Sequence, residues 1–168
     1  ASCLENGHRD IKLEDCFRKF AEKEQLGETE MWYCGKCKEH QRAYKKLDLW
    51  SAPEILILHL KRFQYAQNTY FVHRQKLDDR VAFPVENLDL SPCVLDPESR
   101  RSAQYDLYAV SEHSGGLGGG HYTATAKDDN TGVWYHYNDS VVSRADGVVP
   151  SDPKAYVLFY KRRPGKSS

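Results

Sequence analysis

The sequence predicts an α+β domain in which one N-terminal amphipathic helix precedes a mostly antiparallel β-sheet. Apolar residues recur at helical spacing only near the start of the chain: Leu13, Cys16, Phe17, Phe20 and Ala21. This spacing predicts a helix over residues 13–25 that Gly27 closes. Later apolar residues alternate along short runs or fill one continuous run, as in β-strands. The 168 residues show no internal repeat and fit one domain or a large piece of one.

The strands are predicted from alternation, β-branched content and flanking proline or glycine. A cysteine-containing knuckle at 32–41 precedes a strand at 43–50. Residues 55–63 predict a fully buried strand, because the run is almost entirely apolar. A hairpin tip or loop is predicted over residues 64–79, and a loop is predicted over residues 91–102. The remaining predicted strands are 81–84, 105–109, 122–126, 133–138 and 155–160.

Composition limits the partners and the compartment. Lys and Arg total 24, as do Asp and Glu, which argues against nucleic acid or an anionic membrane as the main partner. No apolar run is long enough to span a bilayer. Five cysteines with a single CxxC pair indicate a reducing, intracellular setting, in the cytoplasm, the nucleus or both. Residues 1–10 are interpreted as a ragged edge, and 163–168 as a flexible tail.

The segment GLGGGHYTATA, residues 116–126, contains the strongest candidate for chemistry. Glycines let another chain approach the backbone closely, so the run suits a ledge for a thin peptide. His121 then lies at the first position of a strand, and a hairpin with 133–138 brings Asn138 near it. A histidine oriented by an amide is the base half of a nucleophilic triad. Spacing alone leaves open a histidine without a role in a glycine-rich loop.

Several separated motifs carry a resemblance to one family. GGGHYTATA, WYHYNDSVV and AYVLFYKR resemble the histidine box of the ubiquitin-specific proteases, the papain-like deubiquitinases. The stretch from LEDC through WYCGKC to LKRF is similar to the segment before that box. The resemblance covers residues 11–162. It implies that 31–63 are the second half of a zinc ribbon in the fingers and lead into a palm strand, and that 103–162 form the palm sheet.

The resemblance implies roles for six residues around the histidine. His121 corresponds to the general base and Asn138 to the residue that orients it. Asp139 corresponds to an adjacent acidic position that supports the hydrogen bonds, or is equally a turn residue. The walls of the channel for the Gly-Gly tail of ubiquitin correspond to Gly119, Gly120 and Tyr122. A core aromatic is the alternative for Tyr122. His113 and Ser114 are expected in a mobile loop that covers this tail or simply connects strands.

The sequence contains no cysteine in the setting of the family's nucleophile, a helix N-terminus after a Gly-Asn-Thr-type stretch. Cys16 is expected in the core, Cys93 in a loop and Cys3 at the ragged start. We therefore expect the nucleophile in an upstream segment, so that this chain is the C-terminal half of an incomplete papain-like domain. Its partner is that upstream half, and the chain alone is expected to be inactive.

Cys34 and Cys37 correspond to one half of a four-cysteine structural zinc site, since such sites are commonly built from two CxxC pairs. Zinc occupancy stays open, because some relatives keep the ribbon without the metal. His40 is interpreted as a surface histidine, with a third zinc ligand as the alternative. A redox role fits less well, as no βαβ pattern surrounds the pair. No organic cofactor is expected.

These observations predict part of a cysteine-type deubiquitinase acting on ubiquitin and ubiquitinated proteins. A non-catalytic ubiquitin- or protein-binding module is the first alternative. The intact pair of His121 and Asn138 argues against it, because a binding module has no chemical need for that pair. A zinc-ribbon adaptor is the second alternative.

Overall fold

A computed structural model describes residues 11–67, 72–116 and 118–164. The predicted α+β class is confirmed. The helices are α1 (Leu13–Phe20) and α2 (Pro97–Arg100), with a 3-10 turn at Glu28–Glu30. The strands are β1 (Ile11–Lys12), β2 (Glu24–Gln25), β3 (Trp32–Cys34), β4 (Glu39–Gln41), β5 (Tyr44–Lys45), β6 (Ile55–His59), β7 (Phe63–Gln67), β8 (Val72–Lys76), β9 (Val81–Ala82), β10 (Leu88–Asp89), β11 (Gln104–Gly116), β12 (Gly119–Lys127), β13 (Trp134–Asn138), β14 (Val141–Ala145) and β15 (Ala155–Arg162).

A seven-stranded antiparallel sheet organises the described residues. Its order is β14-β13-β12-β11-β15-β6, with β10 beside β11. The long strand β11 therefore lies at the centre, between β12 and β15. Four two-stranded pairs complete the topology: β1 with β9 in parallel, and β2 with β5, β3 with β4 and β7 with β8 antiparallel.

The core lies against one face of this sheet. Residues of β11 and β15 are fully buried there, alternating along each strand except where an irregularity between Leu107 and Ala109 shifts the period in β11: Tyr105, Leu107, Val110, Leu158 and Tyr160. The two tyrosines satisfy their hydroxyls on proline carbonyls, Tyr105 on Pro53 at 2.6 Å and Tyr160 on Pro84 at 2.7 Å. These bonds fasten the loops before β6 and after β9 to the sheet.

The predicted helix over 13–25 is too long. Helix α1 ends at Phe20, and Ala21 caps it with its backbone N–H. Glu24–Gln25 is instead extended and pairs with Tyr44–Lys45, so tertiary pairing overrides the helical propensity of the AEKE segment. Gly27 does not close the helix, since it precedes the 3-10 turn.

Two predicted strands also need correction. Only Tyr44–Lys45 of the run 43–50 forms a strand. The strand predicted over 55–63 ends at His59 and is not fully buried: it pairs with β15 on one side, and Ile57 is 59% exposed. Edge strands need cover on one face only, so their side chains alternate.

The predicted hairpin in 64–79 is present as β7 and β8, and its tip at 68–71 lies outside the described residues. Helix α2 lies within the predicted loop 91–102. Its start follows from the local sequence. Asp96 caps the helix by accepting a hydrogen bond from the Ser99 backbone N–H at 3.1 Å, and proline occupies the first helical position. No helix in the described segments is long and apolar enough to cross a membrane. The ragged edge at 1–10 lies outside the described residues, as does 165–168 of the tail.

Candidate active site

The structure brings His121 and Asn138 together. Their side chains meet through His121 Nε2 and Asn138 Oδ1, which are 2.6 Å apart. His121 is the third residue of β12 rather than the first, and Asn138 is the last residue of β13. The hairpin geometry anticipated from the sequence therefore produces the contact, although β12 begins two residues earlier than expected.

The hydrogen bond defines which ring nitrogen is free. A side-chain amide oxygen only accepts hydrogen bonds, so Nε2 of His121 carries the hydrogen and donates it to Asn138. Nδ1 of the neutral ring then holds a lone pair. The His121 side chain is half exposed, so a group approaching from solvent can reach Nδ1. This arrangement can accept a proton from a nucleophile.

Asp139 occupies a turn and also lies near the histidine. It follows Asn138 in the two-residue turn between β13 and β14, with φ of 50°. Aspartate tolerates this left-handed conformation better than most residues. Its Oδ2 atom is 3.9 Å from His121 Nε2. The geometry accommodates both interpretations of this residue, since the turn itself places the carboxylate beside the imidazole.

His113 and Ser114 lie in a strand rather than in the expected mobile loop. The β11–β12 ladder pairs His113 with Tyr122 and Ser114 with His121, and it extends to Gly116 opposite Gly119. His113 is only 4% exposed. The glycine content suggested a loop, but a long central strand continues through it, because its glycines pair with those at the start of β12.

Gly119 and Gly120 differ in what their missing side chains allow. A Cβ atom on Gly120 would lie 2.2 Å from His113 Nε2 and 2.7 Å from the Ser114 carbonyl oxygen. A Cβ atom on Gly119 would meet nothing within 4 Å. Gly120 is thus required for internal packing against His113, whereas Gly119 presents open backbone. Both glycines are exposed at the start of β12, and their role as channel walls stays a prediction.

We predict that Gly120→Ala destabilises the chain by about 1–3 kcal/mol, the usual cost of forcing extra atoms into a packed site. The imidazole of His113 is buried and cannot move aside freely. Gly119→Ala is the matched control and should stay within about 0.5 kcal/mol of the parent. Urea unfolding of both variants measures the difference. Equal stabilities would contradict the packing argument.

Tyr122 belongs to an aromatic cluster around His113, and it is 54% exposed rather than a core residue. Its ring centroid lies 4.6 Å from that of His113 and 6.1 Å from that of Tyr156. Phe63 adds an edge-on contact to His113 at 5.4 Å. Tyr156 was not predicted as a member of this cluster, because its position in the AYVLFYKR strand shows only an apolar alternation.

Burial lowers the pKa of His113 below its ordinary value of 6.5, and the nearby charge of Lys76 lowers it further. Its Nδ1 atom has no hydrogen-bond partner among the described residues. A base with a lowered folded-state pKa binds its proton more readily in the unfolded chain. Folding stability should therefore decrease as the pH falls below about 6.5.

This acid sensitivity can be assigned by substitution. His113→Phe should flatten the loss of stability below pH 6.5, because phenylalanine keeps the aromatic packing and cannot titrate. The exposed His40 provides the control, and His40→Phe should keep the parent's dependence. Thermal unfolding across the pH range measures both. Equal acid slopes for parent and His113→Phe would refute the assignment.

The described cysteines differ in thiol chemistry. Burial raises the pKa of Cys16, with the charge of Asp15 adding to it, and burial likewise raises the pKa of Cys93. Both are therefore poor thiolates. Backbone hydrogen bonds from Cys37 and Lys36 lower the pKa of Cys34, and the Cys37 thiol contributes. In the described part of the chain, the imidazole of His121 has Asn138 and Asp139 as its polar partners rather than a cysteine.

Cys34 and Cys37 lie at the β3–β4 turn, where the Lys38 amide donates to the Cys34 carbonyl at 2.7 Å. The lowered pKa of Cys34 suits a thiolate ligand. In residues 11–67, 72–116 and 118–164, however, no group of three or more His, Cys, Asp or Glu gathers as a metal site. His40 stacks edge-on with Tyr33. Two thiols are fewer than the four ligands of a structural zinc site, and the predicted zinc ribbon stays a prediction.

Known proteins identify the family of this chain. A family model described as ubiquitin carboxyl-terminal hydrolase matches residues 3–160. The chain is 50% identical over 153 residues to ubiquitin carboxyl-terminal hydrolase 15 of Homo sapiens, covering 91% of this chain and 15% of that protein. It is 48% identical over 163 residues to ubiquitin carboxyl-terminal hydrolase 9 of Arabidopsis thaliana, covering 96% and 17%. The chain belongs to the ubiquitin carboxyl-terminal hydrolase family, as its motifs predicted.

Solved structures support the same assignment at the level of the fold. A chain of the SAGA Ubp8/Sgf11/Sus1/Sgf73 DUB module bound to ubiquitin aldehyde matches with a TM-score of 0.70 and 32% identity. The match covers 93% of this chain and 34% of that one. A second structure of the Ubp8-Sgf11-Sgf73-Sus1 SAGA DUB module gives a TM-score of 0.68, covering 92% and 32%. This chain therefore spans about a third of these structures and about a sixth of the curated relatives.

Proposed function

We propose that this chain supplies the general base and its orienting residue to a cysteine-type deubiquitinase. The reaction is hydrolysis of the isopeptide or peptide bond at the C-terminal glycine of ubiquitin. The observation that carries the proposal is the 2.6 Å contact between His121 Nε2 and Asn138 Oδ1 in a chain of this family. The bound ubiquitin aldehyde of a structural relative supports the substrate class.

Each group is proposed to take one part in the reaction. Asn138 holds the ring through Nε2, which leaves Nδ1 of His121 as the proton acceptor. A cysteine thiol transfers its proton to Nδ1, and the thiolate attacks the carbonyl of the terminal glycine. The protonated His121 then gives a proton to the leaving amine. Water hydrolyses the resulting thioester and restores the thiol.

The nucleophile is proposed to lie on a segment other than the described residues. The pKa values of Cys16 and Cys93 are raised by burial, and Cys34 and Cys37 belong to a separate two-stranded hairpin. The chain on its own is then proposed to be inactive. The upstream half of the same catalytic domain is its proposed partner, in an intracellular setting.

Gly119 and Tyr122 are proposed to receive the tail of ubiquitin. Gly119 leaves its backbone open, and Tyr122 presents a half-exposed ring two residues beyond Gly120. Gly120, which is exposed beside Gly119, is proposed as part of the same channel wall, and its close packing against His113 leaves no room for a side chain there. A Gly-Gly peptide suits this surface, since only a chain without side chains can approach the strand closely.

Ubiquitin with a cysteine-reactive group at its C-terminus tests the proposal. We expect no adduct by intact mass when this chain alone is exposed to the probe. In an NMR titration with unmodified ubiquitin, the signals of Gly119 and Tyr122 should shift. Ubiquitin lacking its terminal Gly-Gly is the matched control and should leave those signals unchanged.

Each alternative gives a different outcome. An adduct lost in His121→Ala would place the nucleophile among the five cysteines and contradict the proposed division of the site. An adduct retained in His121→Ala would contradict the base assignment itself. Shifts with both forms of ubiquitin would favour a binding module that ignores the tail.

A further inference from the structure

A polar cluster lies beside His121 and Asn138 on the same face of the sheet. Glu112 of β11 accepts a hydrogen bond from Thr123 Oγ1 at 2.9 Å and another from Thr125 Oγ1 at 3.5 Å. Thr125 Oγ1 also lies 3.2 Å from His136 Nδ1 on β13. The side chains thus connect three neighbouring strands. Thr125 is only 4% exposed, so the connection is largely shielded from water.

The backbone ladder stops short of the site that this cluster adjoins. The pairing of β12 with β13 ends at Ala124 opposite Tyr137. His121 and Asn138 lie beyond that last pair, although β12 continues along β11 and β13 continues along β14. Main-chain pairing between the two strands therefore ends one residue before Asn138 and three residues from His121. Side-chain contacts on the same face can add to the ladder in keeping the two strands close at that end.

The cluster has a defined hydrogen-bond direction. A carboxylate only accepts hydrogen bonds, so the single hydroxyl hydrogen of Thr125 is donated to Glu112. With that hydrogen donated to Glu112, the Thr125 oxygen accepts from His136, which in this arrangement carries its hydrogen on Nδ1. Glu112 Oε2, 3.8 Å from that nitrogen, favours the same arrangement. Glu112 therefore orders the hydroxyl, and the hydroxyl orders the imidazole.

We infer that Glu112, Thr125 and His136 are positioning residues that hold β12 against β13, so that His121 stays within hydrogen-bond distance of Asn138. Thr123 adds a second tie from β12 to Glu112. The importance of this network for catalysis rests on the proposed function. The structural part of the inference stands apart from that function, because the contact between His121 and Asn138 can be observed without turnover.

Imidazole ¹⁵N NMR of the whole 168-residue chain tests the inference by reporting the tautomer of each histidine. In the parent, His136 should carry its hydrogen on Nδ1 and His121 on Nε2. Thr125→Val keeps the shape and removes the hydroxyl. It should release His136 to the Nε2–H form and raise the minor Nδ1–H form of His121 several-fold. Thr125→Ser should restore both signals.

Thr131→Val is the matched control, because it removes the bond from Thr131 to Asp128 at the turn end of the same hairpin. It should leave both tautomers unchanged. Glu112→Gln is the test variant if Thr125→Val does not fold. A glutamine amide can donate as well as accept, so it no longer requires the Thr125 hydroxyl to be the donor. It should release both histidines in the same way.

Three results would overturn the inference. His136 could carry its hydrogen on Nε2 in the parent. His121 could keep its parent tautomer in Thr125→Val or, if that variant is unfolded, in Glu112→Gln. Thr131→Val could disturb His121 as strongly as these variants, which would reduce the effect to general hairpin stability. None of these results depends on activity, so failure here is separable from failure of the deubiquitinase proposal.

Discussion

Replacing His121 with alanine is expected to lower kcat/KM for cleavage of a ubiquitin conjugate about 10²–10⁴-fold, the usual contribution of a positioned general base. The measurement applies to a polypeptide that joins this chain to a nucleophile-bearing segment. Without the imidazole, the hydrogen-bonded pair holds no base, because Asn138 is a neutral amide, and the Asp139 carboxylate lies on the Nε2 side of the ring rather than at Nδ1. Asn138→Ala should have a smaller effect, since it frees the ring without removing the base.

Conservative and distant substitutions separate chemistry from folding in this experiment. Asn138→Asp should retain much of the activity, because a carboxylate oxygen can accept the same hydrogen bond from Nε2. His40→Ala removes an exposed histidine from β4 and should leave kcat/KM unchanged. Full activity in His121→Ala, with the fold intact, would show that another group acts as the base.

The fold was predictable wherever a pattern depends on one strand alone. The alternation in 105–109, 122–126, 133–138 and 155–160 located four strands of the central sheet, because two-residue periodicity is a local property. It failed at residues 24–25, where pairing with Tyr44–Lys45 decides the conformation. It also could not show that 55–59 forms an edge strand, since strand order is not written in the strand itself.

The candidate site was likewise predictable only where it depends on neighbouring parts of the sequence. The contact between His121 and Asn138 requires only a hairpin between consecutive strands, so chain order was enough. The link from Glu112 to His136 crosses three strands in a particular register. No spacing in the sequence encodes that register. Composition was also misleading at His113, where the glycines that follow it suggested a loop in place of a paired strand.

Arg62 is a charged side chain that belongs to the interior of the protein, and it is only 3% exposed. Its Nε donates to the Ala155 carbonyl at 2.7 Å. Its Nη1 donates to the carbonyls of Leu77 at 3.1 Å and Asp79 at 2.7 Å. One guanidinium therefore joins the start of β15 to the segment that follows β8.

Arg62→Ala is consequently expected to destabilise the chain by about 3–5 kcal/mol. Three carbonyl oxygens each lose their donor, and each loss costs about 1–3 kcal/mol. Water that enters the site replaces only part of these hydrogen bonds. Burial lowers the pKa of Arg62, and the charges of Asp78 and Asp79 oppose that change. The group nonetheless stays protonated at neutral pH. Urea unfolding measures the loss.

Two further variants show whether the geometry of the guanidinium or merely its charge is responsible. Arg62→Lys keeps a cation but presents one nitrogen in place of a planar fork, so it should recover less than half of the lost stability. Arg18→Ala removes an exposed arginine whose partner is Asp15, and it should change stability by no more than about 0.5 kcal/mol. A loss of similar size in Arg18→Ala, or full recovery in Arg62→Lys, would show that the three carbonyl contacts are not what makes Arg62 necessary.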